Sequence, residues 1–214
     1  MKKLLLFLIC TLGAISVMFA QFGYNPATEA QQKEMIQRIT ESSEQLKTLR
    51  CDFVQKKIIS ILADVMISEG QLFFKQTDKL CWKYTKPYQY EFVLNGDKLM
   101  INSEATKNVI DVNSSKVFRE ISKIIVAGIN GSGIFDQSKF TAKFLVGAKD
   151  NMVILVPKQK EIKQLFNKIQ ICFNKSDYTV NSVEIEELNE DKTLIEMKNK
   201  QINKEINDEV FDIR

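Results

Sequence analysis

The chain has 214 residues, of which 30 are basic and 27 acidic, and its formal net charge is +3. Two of the basic residues, Lys2 and Lys3, lie in the first 20 residues, which hold no acidic residue, so the rest of the chain has a net charge of +1. This near-neutral balance excludes an electrostatic nucleic-acid binder, because no basic excess is available to neutralise phosphates. The chain also contains no histidine, which excludes imidazole-dependent catalysis and His-containing zinc sites. We therefore predict a compact domain that is not an enzyme and needs no cofactor and no metal.

The first 20 residues have the pattern of an export signal. A short positive start, Met1-Lys2-Lys3, is followed by an apolar stretch that opens at Leu4 to Ile9, and the small residue Ala20 offers a cleavage point. We predict a secretory signal peptide over residues 1–20, cleaved near Ala20. The remaining residues 21–214 are then expected to form a single domain in the periplasm.

Two other interpretations of this segment remain open. It could stay as a membrane anchor, although its apolar run is shorter than the roughly 20 residues of a spanning helix. Alternatively, Cys10 could carry a lipid, although Ile9 before it is not a small residue. We favour a free exported protein.

Three cysteines remain after the signal: Cys51, Cys81 and Cys172. Their number is odd for an oxidising compartment, and no pair has the spacing of a metal site or of a redox motif. We predict that they are small buried or half-buried fillers. Their disulfide state stays open.

The exported part begins with a helical pattern. Asn25-Pro26 is typical of a helix start, because asparagine can cap and proline suits the first helical position. Apolar residues then recur at helical spacing with polar residues between them. They are Met35, Ile36, Ile39, Leu46 and Leu49. We predict an amphipathic helix from about residue 27 to 47.

Beyond this helix the apolar period changes to two residues, which is typical of strands. A first strand is predicted from Leu49 to about Ile59, and Asn95-Gly96 has the composition of a hairpin turn. Other strands are predicted at Gly70–Lys75, Leu80–Tyr84, Tyr90–Leu94, Lys98–Ile101 and Lys107–Val112.

A second helical run follows, capped by Ser114-Ser115 and ending in the glycine-rich stretch 128–133. Its apolar residues lie on roughly one side: Val117, Phe118, Ile121, Ile124 and Ile125. The glycines do not form a phosphate loop, since no Lys-Ser or Lys-Thr follows them. The remaining strands are predicted at Phe140–Val146, Met152–Val156, Leu165–Phe173, Tyr178–Leu188 and Thr193–Lys200, with a last short strand at Phe211.

This order predicts a mainly β chain with helices, built as one antiparallel sheet. Alternation places large residues on shared faces, among them Leu72 with Phe74, Leu80 with Trp82, and Phe92 with Leu94. Such a sheet needs a cover, which the two amphipathic helices can supply. Two interpretations of the covered space remain open from periodicity alone: an ordinary helix-on-sheet core, and a cavity of lipid size.

Several segments then occur in a recognisable series. They are Phe53-Val54-Gln55-Lys56, Gly70-Gln71-Leu72-Phe73-Phe74-Lys75, Leu80-Cys81-Trp82-Lys83-Tyr84-Thr85-Lys86-Pro87, Asn95-Gly96-Asp97-Lys98-Leu99, Leu155-Val156-Pro157-Lys158 and Asp208-Glu209-Val210-Phe211. In order and spacing, this series resembles the outer-membrane lipoprotein carrier protein family, LolA. The resemblance covers nearly all of the chain after residue 20.

The resemblance implies a fold and a function. The fold would be a strongly curved antiparallel sheet forming a half-open barrel, covered by two or three helices that enclose a hydrophobic cavity. The function would be that of a periplasmic carrier, a monomer that shields lipoprotein acyl chains between the inner and the outer membrane. Its partners would be an ATP-driven extractor in the inner membrane and an acceptor in the outer membrane.

The resemblance also implies the site residues. The acyl-chain cavity would be lined by Leu72, Phe74, Leu80, Trp82, Phe92 and Leu94, with Ile121, Ile124 and Ile125 on the lid helix. Leu80 would lie near the rim that contacts partners.

One position departs from the family pattern. Many members have Arg-Pro where this chain has Gln76-Thr77, and that arginine holds the lid in the family. Glutamine has two donors and no charge, so a latch at Gln76 would be weaker or differently built. The alternative function is therefore a periplasmic module of the same fold that binds or senses a lipid or glycolipid and does not handle lipoproteins.

Overall fold

The computed structural model describes residues 23–62, 64–76, 78–103, 106–114, 116–131 and 133–213, with the backbone alone for 116–121. The predicted signal peptide, residues 1–20, lies outside these ranges. The described chain contains twelve strands. They are β1 Tyr24–Pro26, β2 Thr48–Ile59, β3 Asp64–Lys75, β4 Lys79–Lys86, β5 Tyr90–Asn95, β6 Lys98–Ser103, β7 Lys107–Asp111, β8 Phe140–Gly147, β9 Asp150–Pro157, β10 Lys168–Asn174, β11 Val180–Glu186 and β12 Lys192–Ile202.

Three helices accompany the strands in the described ranges: α1 Glu29–Gln45, α2 Lys116–Asn130 and α3 Lys160–Lys163. Short 3-10 turns lie at Ser60–Leu62, Val112–Ser114 and Asp208–Phe211.

All twelve strands form one curved antiparallel sheet. Its order is β1-β8-β9-β10-β11-β12-β2-β3-β4-β5-β6-β7, and β1 and β7 are its two free edges, so the sheet does not close. The predicted fold class, a curved antiparallel half-barrel covered by helices, is confirmed. Because neighbours are antiparallel, the β2–β3, β4–β5 and β11–β12 turns all lie at one end of the sheet, which we call the β2–β3 end.

The start of α1 differs from the sequence prediction. Asn25 and Pro26 belong to β1, whose residues pair with Leu145–Gly147 of β8, and an edge strand tolerates proline. The helix is instead capped by Thr28, whose side chain accepts from the backbone of Gln31 while the Gln31 side chain accepts from the Thr28 backbone. This reciprocal capping box satisfies two amide donors that the helix itself cannot pair.

The other helical regions extend the predicted pattern. Helix α2 continues through Gly128 to Asn130 before Gly131 adopts a left-handed φ of +78°. The one-turn helix α3 was not predicted, because four residues carry no helical period. Phe211 lies in a 3-10 turn and not in the predicted strand.

The apolar residues form two clusters on opposite faces of the sheet. The larger cluster lies on the inner face, where side chains from both halves of the sheet meet α1 and α2. The smaller one lies on the outer face and consists of Cys81, Val93 and Met100, covered by Ile206 and Phe211 of the C-terminal segment. The inner face is therefore the one that can enclose a cavity.

Candidate functional site

A cavity of about 310 Å³ lies between α2 and the inner face of strands β9–β12. Strict alternation on these strands brings every second side chain to this face. The strand wall is aliphatic and includes Leu155, Ile169, Ile171, Val183, Ile185 and Ile195. The wall offers no charge to a ligand, so it suits an apolar one.

Helix α2 supplies the opposite wall. Ile124, Ile125, Ala127 and Ile129 border the cavity together with Gly128. Ile124, Ile125 and Ala127 are only half-buried, although they are apolar. They thus keep apolar surface that no protein atom covers, which a hydrophobic ligand would bury.

Three charged residues also border the cavity. They are Lys123, Asp136 and Lys139, and Lys123 is exposed, as is the bordering Gly133. Hydrogen bonds from the Ser138 side chain and backbone hold the pKa of Asp136 below its ordinary value, so its carboxylate stays ionised at neutral pH. This charged part of the lining suits a ligand whose polar end remains in water.

Trp82 of β4 borders the cavity from the other half of the sheet. Its indole ring packs edge-to-face with the ring of Phe53, with centroids 5.1 Å apart, and the Phe53 ring packs in the same way with the ring of Tyr84, with centroids 5.0 Å apart. The Tyr84 hydroxyl donates to Oε1 of Gln55 at 2.8 Å, and burial raises the pKa of Tyr84 to about 12, so the hydroxyl stays neutral. Trp82 therefore lies at the boundary between the cavity and the part of the interior that the large side chains of β2–β5 fill.

The structure brings together three of the residues that the resemblance implies as lining. Trp82, Ile124 and Ile125 border the cavity. The side chain of Ile121 lies outside the described part of the structure. The role of these residues in contacting acyl chains stays a prediction.

The remaining lining candidates lie elsewhere on the inner face. Leu72, Phe74, Leu80 and Leu94 are fully buried in the packed core, and Phe92 packs half-buried against it. The expectation that Leu80 lies near a rim is wrong, since this side chain is 0% exposed. The reason is side-chain size: the large residues of β2–β5 fill the interior of their half of the sheet.

The residues that sequence reasoning missed are the aliphatic ones of β9–β12. They alternate as regularly as the aromatic residues do, so alternation does not distinguish the two sets. The smaller volume of the aliphatic side chains does. Valine and isoleucine on facing strands leave space where phenylalanine and tryptophan do not. The cavity therefore lies where the inner face carries the smaller side chains.

Gln76, the residue at the family's latch position, lies in the β3–β4 turn at the end of the sheet away from the β2–β3 end. Its side chain is exposed, and its backbone N–H donates to the Lys47 carbonyl at 2.8 Å. Gln76 does not border the cavity. A latch role for its side chain stays a prediction.

Other chemistry is sparse in the described ranges. They contain no group of three His, Cys, Asp or Glu residues that could hold a metal ion. Cys51, Cys81 and Cys172 are free thiols, and the first two are buried. No helix within residues 23–213, apart from the residues left undescribed, is long and apolar enough to cross a membrane.

Comparison with known proteins identifies the family of this chain. The family model described as outer membrane lipoprotein carrier protein LolA matches residues 44–214. The chain belongs to the LolA family. The match begins at the end of α1 and includes every strand of the cavity wall. No curated protein matches the sequence.

Solved structures share the fold at low sequence identity. A chain in the complex of MucA and MucB from Pseudomonas aeruginosa matches with a TM-score of 0.52 and 8% identity, over 85% of this chain and 60% of that chain. A crystal structure of MucB gives 0.53 and 9%, over 87% and 64%. The lipoprotein LppX from Mycobacterium tuberculosis gives 0.48 and 8%, over 84% and 99%. At identities this low, the two matches with a TM-score above 0.5, both to structures that contain MucB, show a common fold alone.

Proposed function

We propose that this LolA-family protein is a periplasmic carrier, which binds lipoprotein acyl chains in the cavity under α2 and moves them from the inner to the outer membrane. The observation that carries the proposal is the mainly aliphatic cavity of about 310 Å³, whose lining also includes the charged residues Lys123, Asp136 and Lys139. In this account, residues 1–20 direct export and are removed near Ala20, and residues 21–214 act as one domain.

The wall chemistry supports an acyl ligand. Each methylene moved from water into such a wall contributes about 0.8 kcal/mol, so a dozen carbons contribute roughly 10 kcal/mol before the cost of ordering the chain. The charged side chains of Lys123, Asp136 and Lys139 in the lining offer polar surface near which the head of the lipoprotein can stay hydrated. The driving force is apolar burial, and release needs only a partner that offers an equal or better apolar site.

The size of the cavity implies that its cover moves. Small-molecule sites have volumes of roughly 300–1,000 Å³, so this cavity is at the small end and too tight for an anchor with several acyl chains. Helix α2 is the element that can give way, because it is followed by Gly131 and Gly133, both with left-handed φ values. We propose that loading displaces α2 from β9–β12.

The proposed mechanism is transfer without catalysis. An ATP-driven extractor in the inner membrane would load the protein, and an acceptor in the outer membrane would take the cargo. The direction of transfer would follow from a series of apolar sites that bind the acyl chains with increasing affinity. The same acyl surface is buried before and after each transfer, so no step exposes it to water.

The decisive experiment is a release assay. Inner-membrane vesicles that hold labelled lipoprotein and the extractor are incubated with the purified protein, with and without ATP. We expect ATP-dependent appearance of labelled lipoprotein in the soluble fraction, in complex with the protein. Failure of the vesicles to release lipoprotein, while a known carrier releases it from the same vesicles, would overturn the proposal.

A second function is favoured by two observations. The cavity is small, and Gln76 replaces the arginine expected at the latch and lies outside the cavity wall. Both suit a module that holds one free lipid or glycolipid. Native mass spectrometry of protein purified from its own periplasm separates the functions, because the carrier holds lipoprotein and the module holds free lipid.

A further inference from the structure

The longest hairpin of the sheet ends in exposed apolar side chains. We call this group the β2–β3 tip, and its members are Ile58, Ile61, Leu62, Val65, Met66 and Ile67. Ile61 is 89% exposed and Leu62 is 67% exposed, and the other four are 40–55% exposed. Monomeric soluble proteins rarely expose so many contiguous apolar side chains, so the patch calls for a partner.

The tip extends beyond the strands on both sides. Strands β2 and β3 pair with each other as far as Ile59 and Asp64. The pairing of β4 with β3 stops at Lys86 and Glu69, and that of β12 with β2 stops at Lys192 and Ile58. Among the described residues, β3 therefore has β2 as its only strand neighbour over residues 64–68, and β2 extends past β12 from Ile59 onward, so the end of the hairpin projects from the sheet.

The tip is held in place by the neighbouring β11–β12 turn. The backbone N–H of Ser60 donates to Oδ1 of Asp191 at 2.9 Å, and its hydroxyl donates to the Asn189 carbonyl at 3.0 Å. Lys57 forms an ion pair with Glu187 at 3.1 Å. The same turn presents a further exposed apolar residue, Leu188. The projection is therefore a braced feature of the fold.

The cavity lies at this same end of the sheet. Ile195 of the cavity wall pairs with Gln55, three residues before the tip begins, and Ile185 lies one residue before the end of β11. Whatever contacts the tip is consequently brought next to the cavity. Because the tip and the apolar cavity lie at the same end of the sheet, we look for the partner of the tip where acyl chains are found.

The shape and charge of the tip favour a lipid bilayer. Val65, Met66 and Ile67 are consecutive, so apolar side chains are exposed on both faces of the hairpin, as a surrounding apolar phase requires. The only charge between residues 58 and 67 is Asp64. At the base of the tip, Lys56 and Lys57 are neutralised by Glu196 and Glu187, so attraction to anionic lipid is not the driving force.

We propose that the β2–β3 tip inserts into the headgroup–acyl boundary of a phospholipid bilayer and so holds the cavity end of the sheet against the membrane. The purpose of this contact rests on the proposed carrier function. Its existence does not, because insertion can be measured without any cargo.

Vesicle flotation tests the insertion. Vesicles of phosphatidylethanolamine and phosphatidylglycerol are mixed with the wild-type protein, with the double variant Ile61→Ser/Leu62→Ser, and with Val109→Ser. Val109 is the matched control, since it is exposed to 53% on β7, at the far edge of the sheet. We expect the double variant to bind vesicles on the order of a hundredfold more weakly, because two apolar side chains no longer enter the membrane. The control should bind like the wild type, and high salt should not release the protein.

A fluorescent variant locates the contact. Trp82 is the only tryptophan of the chain, so Leu62→Trp in a Trp82→Phe background places one fluorophore at the tip. Vesicles with brominated acyl chains should quench it, and they should not quench Val109→Trp in the same background. Equal quenching of both, or of neither, would overturn the proposal.

Two further outcomes are distinguishable. If the wild type sediments as a dimer and the double variant as a monomer, the tip binds a second copy and the membrane proposal is wrong. Fatty-acid binding, followed by Trp82 fluorescence in the double variant, separates the two proposals. Retained fatty-acid binding without wild-type flotation would defeat the membrane contact alone, and flotation without fatty-acid binding would defeat the carrier function alone.

Discussion

The indole ring of Trp82 and the ring of Phe53 pack edge-to-face, with centroids 5.1 Å apart. Phe53 is buried in the packed half of the interior, whereas Trp82 borders the cavity. The indole Nε1 of Trp82 is buried and finds no hydrogen-bond partner among the described residues. This pair of rings thus lies between the packed core, which the protein's own side chains fill, and the cavity, which can take a ligand.

The position of the Phe53 ring depends on Gly70. A methyl group added at Gly70 would lie 2.0 Å from the Lys83 carbonyl oxygen and 2.7 Å from Cζ of Phe53. We expect Gly70→Ala to lower the free energy of unfolding by about 3 kcal/mol, since the carbonyl belongs to a paired strand and cannot move away. Urea unfolding followed by circular dichroism measures this change.

Gly128→Ala is the control for this substitution. Its added methyl would meet only Cγ2 of Val183, at 3.9 Å, and alanine favours a helix over glycine by roughly 0.5–1 kcal/mol. This variant should be at least as stable as the wild type. An unchanged stability in Gly70→Ala would show that the tight approach of β3 to β4 is not needed.

A larger side chain at position 128 should close the cavity. Gly128 borders the cavity from α2, and the space in front of it is open. We expect Gly128→Leu to fold normally and to lose bound lipid, because its side chain occupies the volume that the acyl chain needs. Native mass spectrometry of both Gly128 variants checks this, and an equal lipid load in Gly128→Leu and Gly128→Ala would place the ligand elsewhere.

The buried thiols should be chemically inert in the folded protein. Burial raises the pKa of Cys51 and of Cys81 to about 12, so at pH 8 only about one molecule in ten thousand carries the reactive thiolate. We expect these two thiols to react with a disulfide reagent only after denaturation. Rapid modification of two or more thiols in the native protein would contradict the burial of both.

The C-terminal segment should contribute a pH-dependent stability. The carboxylate of Asp208 accepts from Lys75 at 2.8 Å and lies 3.4 Å from Lys79, and these contacts hold the pKa of Asp208 below its ordinary value of 3.8. A lowered pKa in the folded state stabilises the protein fully above pH 3.8, and this contribution is lost as the pH falls through the lowered value.

Asp208→Asn tests this contribution. The variant should be less stable than the wild type at pH 7, and the difference should vanish in strong acid. Glu205→Gln, an exposed change in the same segment, is the control. A difference that persists unchanged at low pH would mean that the amide disturbs the segment by another route.

The sequence was sufficient to predict the sheet because alternation is a local property. Strand β2 was expected at 49–59 and is found at Thr48–Ile59, and the Asn95-Gly96 hairpin joins β5 to β6. The start of α1 could not be predicted in the same way. Asn25-Pro26 suits a helix locally, but pairing with β8, more than 100 residues away, makes it a strand.

The cavity itself could be predicted only in part. Ile124 and Ile125 were found because α2 has a clear apolar side. The rim position of Leu80 was implied by the family resemblance, but in this chain its side chain is 0% exposed, because a large side chain in a paired, covered strand fills the core. Whether a side chain borders the cavity or fills the core depends on which strands face α2. The order of the strands, such as the pairing of β12 with β2, is a non-local feature that no short segment encodes.

Titration with palmitate and with a triacylated lipopeptide, followed by the fluorescence of Trp82, tests directly whether the cavity under α2 binds an acyl chain. Because Trp82 is the only tryptophan and borders the cavity, we expect a saturable blue shift with both ligands in the wild type and in Gly128→Ala. Gly128→Leu should show no shift. No saturable shift in the wild type, or the same shift in Gly128→Leu, would contradict the claim that the cavity under α2 takes the acyl chain.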